Sequence, residues 1–430
     1  MPKYTYKPAI TCFFWLLLHA KNEFYLSIIN KILNPYKGLS LHIWYLALIT
    51  LVNRAGAMVI PFLSLYLTKH LGMSLSQVGW IMSAFGLGSA MGTFIGGKLT
   101  DRFGFLKVMF TSLFLTGFLF IGLQHLQTFW QFVFGIFTLT FIADIFRPAI
   151  WVAMDAYSTE ENKTRSVTLI RLAINLGFSA GPAIGGLIIA YFSYKGLFWI
   201  DGITCIMASL LIWALLSEKN KSKDTIQAEI KEAPKKLASP YKDKHYLLFC
   251  LGILMMGIAF MQFFGTLPLY YDSVIGMSEK EIGLLLAGNG FLIFLLEMPL
   301  VHYLEKKNFN VLSMVIFGGW FFTLSFLVLP ISSYILLPIL GMLFLSIGEM
   351  ISFPFSNTFA MKRSNRGKKG DYMALYTLTF SLSFIVGPNL GMQLSKHFGF
   401  NYTWFVMAGL MLIGNLLFYM LKQLQKTDDH

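Results

Sequence analysis

Ionisable side chains stand inside several long apolar runs of this 430-residue sequence, and they are the groups whose types and spacing bear on chemistry. Asp144 and Arg147 are three residues apart, which puts them on one face of a helix, close enough to pair. Asn53 and Arg54 lie half-way along another run, Arg171 and Asn175 lie along a third, and Glu297 and Glu349 stand in two more. Gln262, Asn289, Asn357 and Asn389 add polar positions in the second half. An ionised side chain at the centre of a bilayer costs at least about 2.5–3.5 kcal/mol on insertion scales, so in a membrane these groups must face water or one another.

Arg54, Asp144 and Arg147 have two readings. They are a structural ion-pair cluster joining two helices, or they position an anionic group, with Arg147 left over once Asp144 pairs with Arg54. Glu349 has no basic neighbour on its own segment. A carboxyl without a cationic partner in a low-dielectric setting is what a proton carrier needs. Glu349, then Asp144 and Glu297, are therefore candidate protonation sites, with structural hydrogen bonding as the alternative. Asn53, Arg54, Arg147, Arg171, Asn175, Gln262, Asn289 and Asn389 are the candidate lining of a cavity.

Other chemistries lack their residues. No GxxxxGKS loop is present to cradle a nucleotide, and neither GxSxG nor HExxH occurs. The three cysteines, Cys12, Cys205 and Cys250, have no CxxC spacing, so neither a disulfide framework nor a zinc site is supported. No cofactor, metal or enzymatic activity is expected. The net charge of +13 is spread over short clusters between apolar runs rather than one basic patch with interleaved aromatics, which argues against nucleic acid.

The elements that must position these groups follow from composition. The chain is 56% hydrophobic and 13% charged, against roughly 25% charged in a soluble domain, and its mean hydropathy is +0.63. A helix crosses the roughly 30 Å hydrocarbon core with about 20 residues. Twelve runs qualify: 43–69, 77–99, 105–125, 129–157, 166–191, 196–217, 246–271, 281–304, 311–329, 333–361, 372–395 and 400–421. None alternates in polarity as a barrel strand does. The fold expected is all-α and integral to the membrane, with lipid as its surrounding partner. Most of the 42 Phe residues should face that lipid or fill helix interfaces.

Lys and Arg favour one set of loops: Lys98, Arg102 and Lys107; Lys163 and Arg165; Lys306 and Lys307; Lys362, Arg363, Arg366, Lys368 and Lys369. That set is expected in the cytoplasm, with both termini, at the inner (cytoplasmic) membrane. The lysine-rich stretch 218–245 reads as a cytoplasmic linker between six-helix bundles at 41–217 and 246–424, followed by a tail at 425–430. Residues 1–40 are an N-terminal extension whose ITCFFWLLL (10–18) is too short to span and suits an interfacial helix. The two halves repeat: LGFSAGPAIGG (176–186) returns as LSFIVGPNLGM (382–392), and with Pro182 laid on Pro388, Asp144 falls beside Glu349.

Between the second and third runs stands GGKLTDRFGFLK (96–107), which resembles the cytoplasmic signature of the major facilitator superfamily. Gly97, Leu99, Asp101, Arg102, Gly104 and Lys107 match it, while Phe105 replaces a usual Arg. The resemblance implies twelve transmembrane helices in two pseudo-symmetric six-helix bundles, with Asp101 and Arg102 locking the halves together and Asp155 as a partner for Arg102. Gly177, Gly181 and Gly185 around Pro182 put glycines on one helix face where a neighbour can approach closely. This resembles the family's antiporter motif, which accompanies export. Gly88, Gly92 and Gly96 form a similar face, read as packing.

These residues and the resemblance together imply a secondary active transporter, monomeric, moving a small molecule by alternating access. The expected mode is proton-coupled export of amphiphilic drug-like compounds or metabolites. Proton-coupled uptake of an anionic or zwitterionic solute is the alternative, motivated by Arg54, Arg147 and Arg171. A membrane-embedded enzyme lacks the clustered acids or histidines it would need.

Overall fold

The computed structural model describes residues 38–159, 162–216, 239–307, 309–331, 334–367 and 369–428. Residues 1–37, Ser217, most of the expected linker (218–238) and the last two residues of the tail lie outside them. Among the described residues are twelve helices long and apolar enough to cross a membrane, one for each apolar run. They are α1 (Leu41–His70), α2 (Leu75–Phe103), α3 (Phe105–Leu123), α4 (Phe129–Tyr157), α5 (Arg165–Tyr191) and α6 (Tyr194–Leu215) in the first half. The second half holds α7 (Lys244–Phe264), α8 (Glu279–Lys306), α9 (Val311–Ile331), α10 (Leu336–Ser364), α11 (Gly370–Phe398) and α12 (Phe400–Gln425).

Local chemistry starts these helices where the apolar runs begin. Ser74 caps α2 in a reciprocal box with Gln77, and Ser278 caps α8 in the same way with Glu281. Each box satisfies two otherwise orphaned N–H groups. The turns before them hold Gly72 and Gly276, both at positive φ, 66° and 79°. The displacement from Gly72 to Gly276 equals that from Ser74 to Ser278, so the two turns match each other, two residues out of the register that lays Pro182 on Pro388. Between α2 and α3 the signature glycine, Gly104, sits at φ 83°, a conformation that other residues rarely adopt.

Small residues set the helix spacing. A Cβ added at Gly92 of α2 would lie 2.1 Å from the Phe141 carbonyl oxygen of α4, and one at Gly88 would lie 2.3 Å from Thr140 Oγ1. Gly117 of α3 and Gly202 of α6 face each other, and a Cβ added at either would lie 2.7 Å from the other's carbonyl oxygen. In lipid, where apolar burial between helices gains little, this close van der Waals contact is what associates them.

The two halves meet along α5 with α8 and along α2 with α11. Gly283 lies under the Pro182 carbonyl, Gly290 against Ser179, and Gly86 against the Ile385 backbone. Ser179 donates to the Ala287 carbonyl at 3.0 Å, Ser83 to the Ile385 carbonyl at 2.7 Å, and Gln393 to Ser76 at 2.8 Å. At the end holding the α1–α2 turn, Lys69 pairs with Asp272 (2.8 Å) and Glu279 (2.9 Å), and Tyr194 donates to Glu279 at 2.9 Å.

At the opposite end, Asp243 precedes α7. Its carboxylate takes two bonds from Arg363 of α10, at 2.7 and 2.8 Å, one from the Tyr372 hydroxyl at 3.0 Å and one from the Tyr246 N–H. Burial pushes this carboxyl up, but the bonds from Arg363, Tyr246 and Tyr372 outweigh it and hold it below its ordinary value of 3.8.

This packing has two measurable consequences. Gly92→Leu should lower the melting temperature in detergent, an overpacking cost of about 1–3 kcal/mol, while Gly97→Ala, with nothing within 4 Å of the added carbon, should leave it unchanged. Because the folded Asp243 carboxyl lies below its unfolded value, the stability it contributes is present above about pH 4 and lost as pH falls through the lowered value. Melting curves across acid pH should therefore show a steeper loss for wild type than for Asp243→Asn.

Candidate functional site

Two helices in corresponding positions of the halves are interrupted mid-way. In α1 the helix ends at Ala55 and resumes at Val59. In α7 it tightens to a 3-10 turn over Met261–Phe264 and resumes after Gly265 as Thr266–Ser273. Paired interruptions of this kind mark the binding region of duplicated transporters. Each break leaves backbone groups that hydrocarbon cannot satisfy, and a buried side chain supplies what is missing. Asp201 of α6 accepts the Met58 N–H at 3.0 Å and the Val59 N–H at 2.9 Å. Gln262 donates to the carbonyls of Ile258 (3.0 Å) and Gly387 (2.7 Å) and accepts from Thr266 at 2.6 Å.

Between the breaks, where α1, α4 and α5 face α7, α8 and α10, lies a cavity of about 310 Å³. That is at the lower end of the range for drug-sized ligand pockets. Its charges are divided by half. Arg54, Arg147 and Arg171 come from the first half, and Glu297 and Glu349 from the second. The apolar lining is largely aromatic: Phe85 stacks on Phe384 at 4.8 Å between centroids, Phe384 on Phe264 at 5.6 Å, and Phe178 also lines the cavity.

Most of these charges are already partnered. Arg171 and Glu297 form an ion pair of 2.8 Å across the two halves. Arg147 pairs with Asp144 at 2.8 Å, and Asp144 also accepts a hydrogen bond from Ser89. Of the two pairings the sequence allows, Asp144 with Arg147 and Asp144 with Arg54, the structure forms the first. The i,i+3 spacing within α4 takes the carboxylate first, and Arg54 is the cation left over. Its Nε, though buried, has no hydrogen-bond partner among the described residues, and its guanidinium lies 5.4 Å from the centre of the Phe178 ring. Glu349 takes one long bond, 3.4 Å, from Asn289, which also donates to Ser346 at 2.9 Å.

Other expected residues lie elsewhere. Asn175 and Asn289 reach the cavity, but Gln262 is consumed at the α7 break and Asn389 joins α11 to α2 by donating to Ser83 at 3.0 Å. Asn53 and Asp144 line a smaller adjoining pocket of about 80 Å³, and Asn53 donates to Cys205 Sγ. Gly177, Gly181 and Gly185 all face α1 around its break, while Gly186 faces α8. The expected Arg102–Asp155 contact is absent. Asp155 pairs instead with Lys163, which lies just past the end of its own helix, whereas Arg102 is exposed and lies over the Phe103 ring.

Asp201 was not among the expected residues. It is an acid inside an apolar run, and that criterion alone finds it; its role at the break comes only from the packing of α6 against α1. The cavity phenylalanines carry no such signal, because lipid-facing and cavity-facing Phe look alike in sequence. Asp201→Ala should destabilise the protein by about 1–3 kcal/mol for the Val59 N–H it leaves unpaired, since the Met58 N–H keeps its bond to the Gly56 carbonyl at 2.9 Å, and Asp201→Asn by less. Thermal unfolding in detergent, with matched expression of both variants, measures this.

Comparison with known proteins places this geometry. The Major Facilitator Superfamily pattern matches residues 46–388. The uncharacterised MFS-type transporter YqjV of Bacillus subtilis is 26% identical over 387 residues, covering 86% of this chain and 91% of that protein. A Na(+), Li(+), K(+)/H(+) antiporter of Planococcus maritimus is 22% identical, covering 85% and 92%. The crystal structure of the nucleoside transporter NupG superposes with a TM-score of 0.72 at 12% identity, covering 89% of this chain and 99% of that one. A twelve-helix, multi-pass architecture with a cavity between its halves, and a family match over most of its length, establish that the chain belongs to the major facilitator superfamily and is a secondary transporter of small molecules rather than an enzyme.

Proposed function

We propose that this transporter exports amphiphilic, aromatic compounds or metabolites in exchange for protons, with Glu349 as the proton-carrying carboxyl. The observation that carries this reading is the state of the two acids on the cavity wall. Protonating Glu297 breaks its ion pair with Arg171. Protonating Glu349 breaks none, since its contact is the long bond from Asn289. Glu349 is thus the acid that can change charge without dismantling the contacts between the halves. Asp144, held by Arg147 and Ser89, is less free to do so.

Coupling requires that the proton bias one orientation over the other, because a proton bound equally in both shifts nothing. One charge crossing 100 mV supplies about 2.3 kcal/mol, enough for roughly a 50-fold solute gradient at 1.36 kcal/mol per tenfold. We place the basic loops and both termini in the cytoplasm, with 41–217 and 246–424 as the two rocking bundles. In that frame the Lys69 cluster closes the outer side, and the cavity lies on the inner side of it. Asp101 and Arg102 would engage when the inner side closes, an arrangement compatible with their exposure here. The exchange direction draws support from the glycine–proline face of α5 and from the antiporter named among the relatives.

The test is transport in proteoliposomes with a pH-sensitive dye inside, an imposed pH gradient, and a panel of aromatic amphiphiles added outside. Wild type should show solute-dependent proton flux, and Glu349→Gln should lose at least tenfold of it. A flux sign opposite to exchange would turn the reading to symport; equal flux in both proteins would remove Glu349 from the mechanism.

A further inference from the structure

We propose that Arg54 is the anion-binding residue of this cavity and that the compound it selects is an aromatic carboxylate, its carboxylate on Arg54 and its ring among the phenylalanines. This rests on the proposed transport function only in taking the cavity as the transport site.

Charge balance singles out Arg54. Arg54, Asp144 and Arg147 converge on the smaller pocket, and Arg54 and Arg147 reach on into the cavity. Two cations and one carboxylate leave the group one positive charge in excess. Asp144 is taken up by Arg147 Nε and the Ser89 hydroxyl. Arg171, the other cation of the cavity, is taken up by Glu297. The excess charge therefore resides on Arg54, whose Nε is buried with no partner among the described residues. A guanidinium unpaired at membrane depth is expensive, and such groups mark sites for a charge that arrives from outside the fold.

The backbone beneath this side chain is held from two sides. Arg54 stands one residue before the end of the first α1 segment, next to the break that Asp201 holds. A Cβ at Gly177 would lie 2.4 Å from Arg54 Cβ, so α5 presses directly on the base of the side chain. At Gly56, an added Cβ would lie 1.9 Å from Thr204 Oγ1, so α6 clamps the same turn from the other side. The turn is thereby fixed and the planar guanidinium is presented to the cavity, the arrangement that suits two-point binding of a carboxylate.

Aromatic rings line the cavity that the unpaired charge enters. Phe178 lies against the guanidinium at 5.4 Å, and Phe85, Phe384 and Phe264, stacked in succession, line the same cavity. A ligand with its carboxylate on Arg54 can place an aromatic ring among them. A bare inorganic anion would leave that space empty.

The experiment uses the full-length protein in nanodiscs at neutral pH and measures equilibrium binding of norfloxacin, a fluorescent aromatic carboxylate that also carries an ammonium, and of its ethyl ester, which keeps the ammonium and lacks only the carboxylate charge. Wild type should bind the acid at least tenfold tighter than the ester, the lower limit for a charge-assisted hydrogen bond. Arg54→Gln should bind both alike, and Arg54→Lys should keep part of the preference, since it retains the charge without the fork. Benzoate should displace the acid from wild type, and neutral benzamide at the same concentration should not. Melting temperatures show which variants are folded; if Arg54→Gln is not, the lysine variant and the benzoate competition decide. Equal binding of acid and ester by wild type, a preference that survives in folded Arg54→Gln, or no binding of either probe would each overturn the proposal. A preference for the acid together with solute flux that ignores the pH gradient would instead refute proton coupling and leave the Arg54 site standing.

Discussion

Within hydrocarbon every backbone N–H and C=O must find a partner in the protein itself, and the two places where this chain interrupts a membrane helix are governed by that requirement. At the α1 break the Asp201 carboxylate takes up the N–H groups of Met58 and Val59; at the α7 break the Gln262 amide bridges Ile258 and Gly387. One break needs an acceptor and receives a carboxylate. The other needs a donor and receives an amide. With both satisfied, each helix can turn polar residues toward a central space without unravelling, and Arg54 stands beside the first of these turns at the wall of the cavity.

Glycine contacts carry the remaining geometry. Within each half they bring helices so close that an added methyl group would collide with backbone, as at Gly92 and Gly117. Between the halves the same device operates at Gly86, Gly283 and Gly290, but it is joined by hydrogen bonds and by the Lys69 ion pairs. Interfaces built of small residues and a few polar contacts can separate and reform more readily than ones built of interlocked large side chains.

Charge is distributed to match. The first half brings arginines to the cavity and the second brings glutamates, and one pair, Arg171 with Glu297, is closed across the gap. This pair ties α5 to α8 and leaves one cation and one acid, Arg54 and Glu349, with little to hold them. Helix α8 carries both Glu297, which pairs with Arg171, and Asn289, which donates to Glu349.

The sequence alone determined twelve spans, an all-helical membrane fold, the repeated halves and the family signature, because each rests on composition or on spacing along one chain. It also determined the Asp144–Arg147 contact, since an i,i+3 pair within one helix is brought together by helical geometry itself. What the sequence left open was every choice of partner across helices. Arg102 and Asp155 do not meet, Gln262 and Asn389 turn away from the cavity, Arg171 finds Glu297, and Asp201 reaches the α1 break. Those contacts depend on the rotation and axial offset of each helix against its neighbours. Helices apolar all round, as membrane spans are, carry too little amphipathic signal to specify that rotation, so only the packing of small residues in three dimensions decided it.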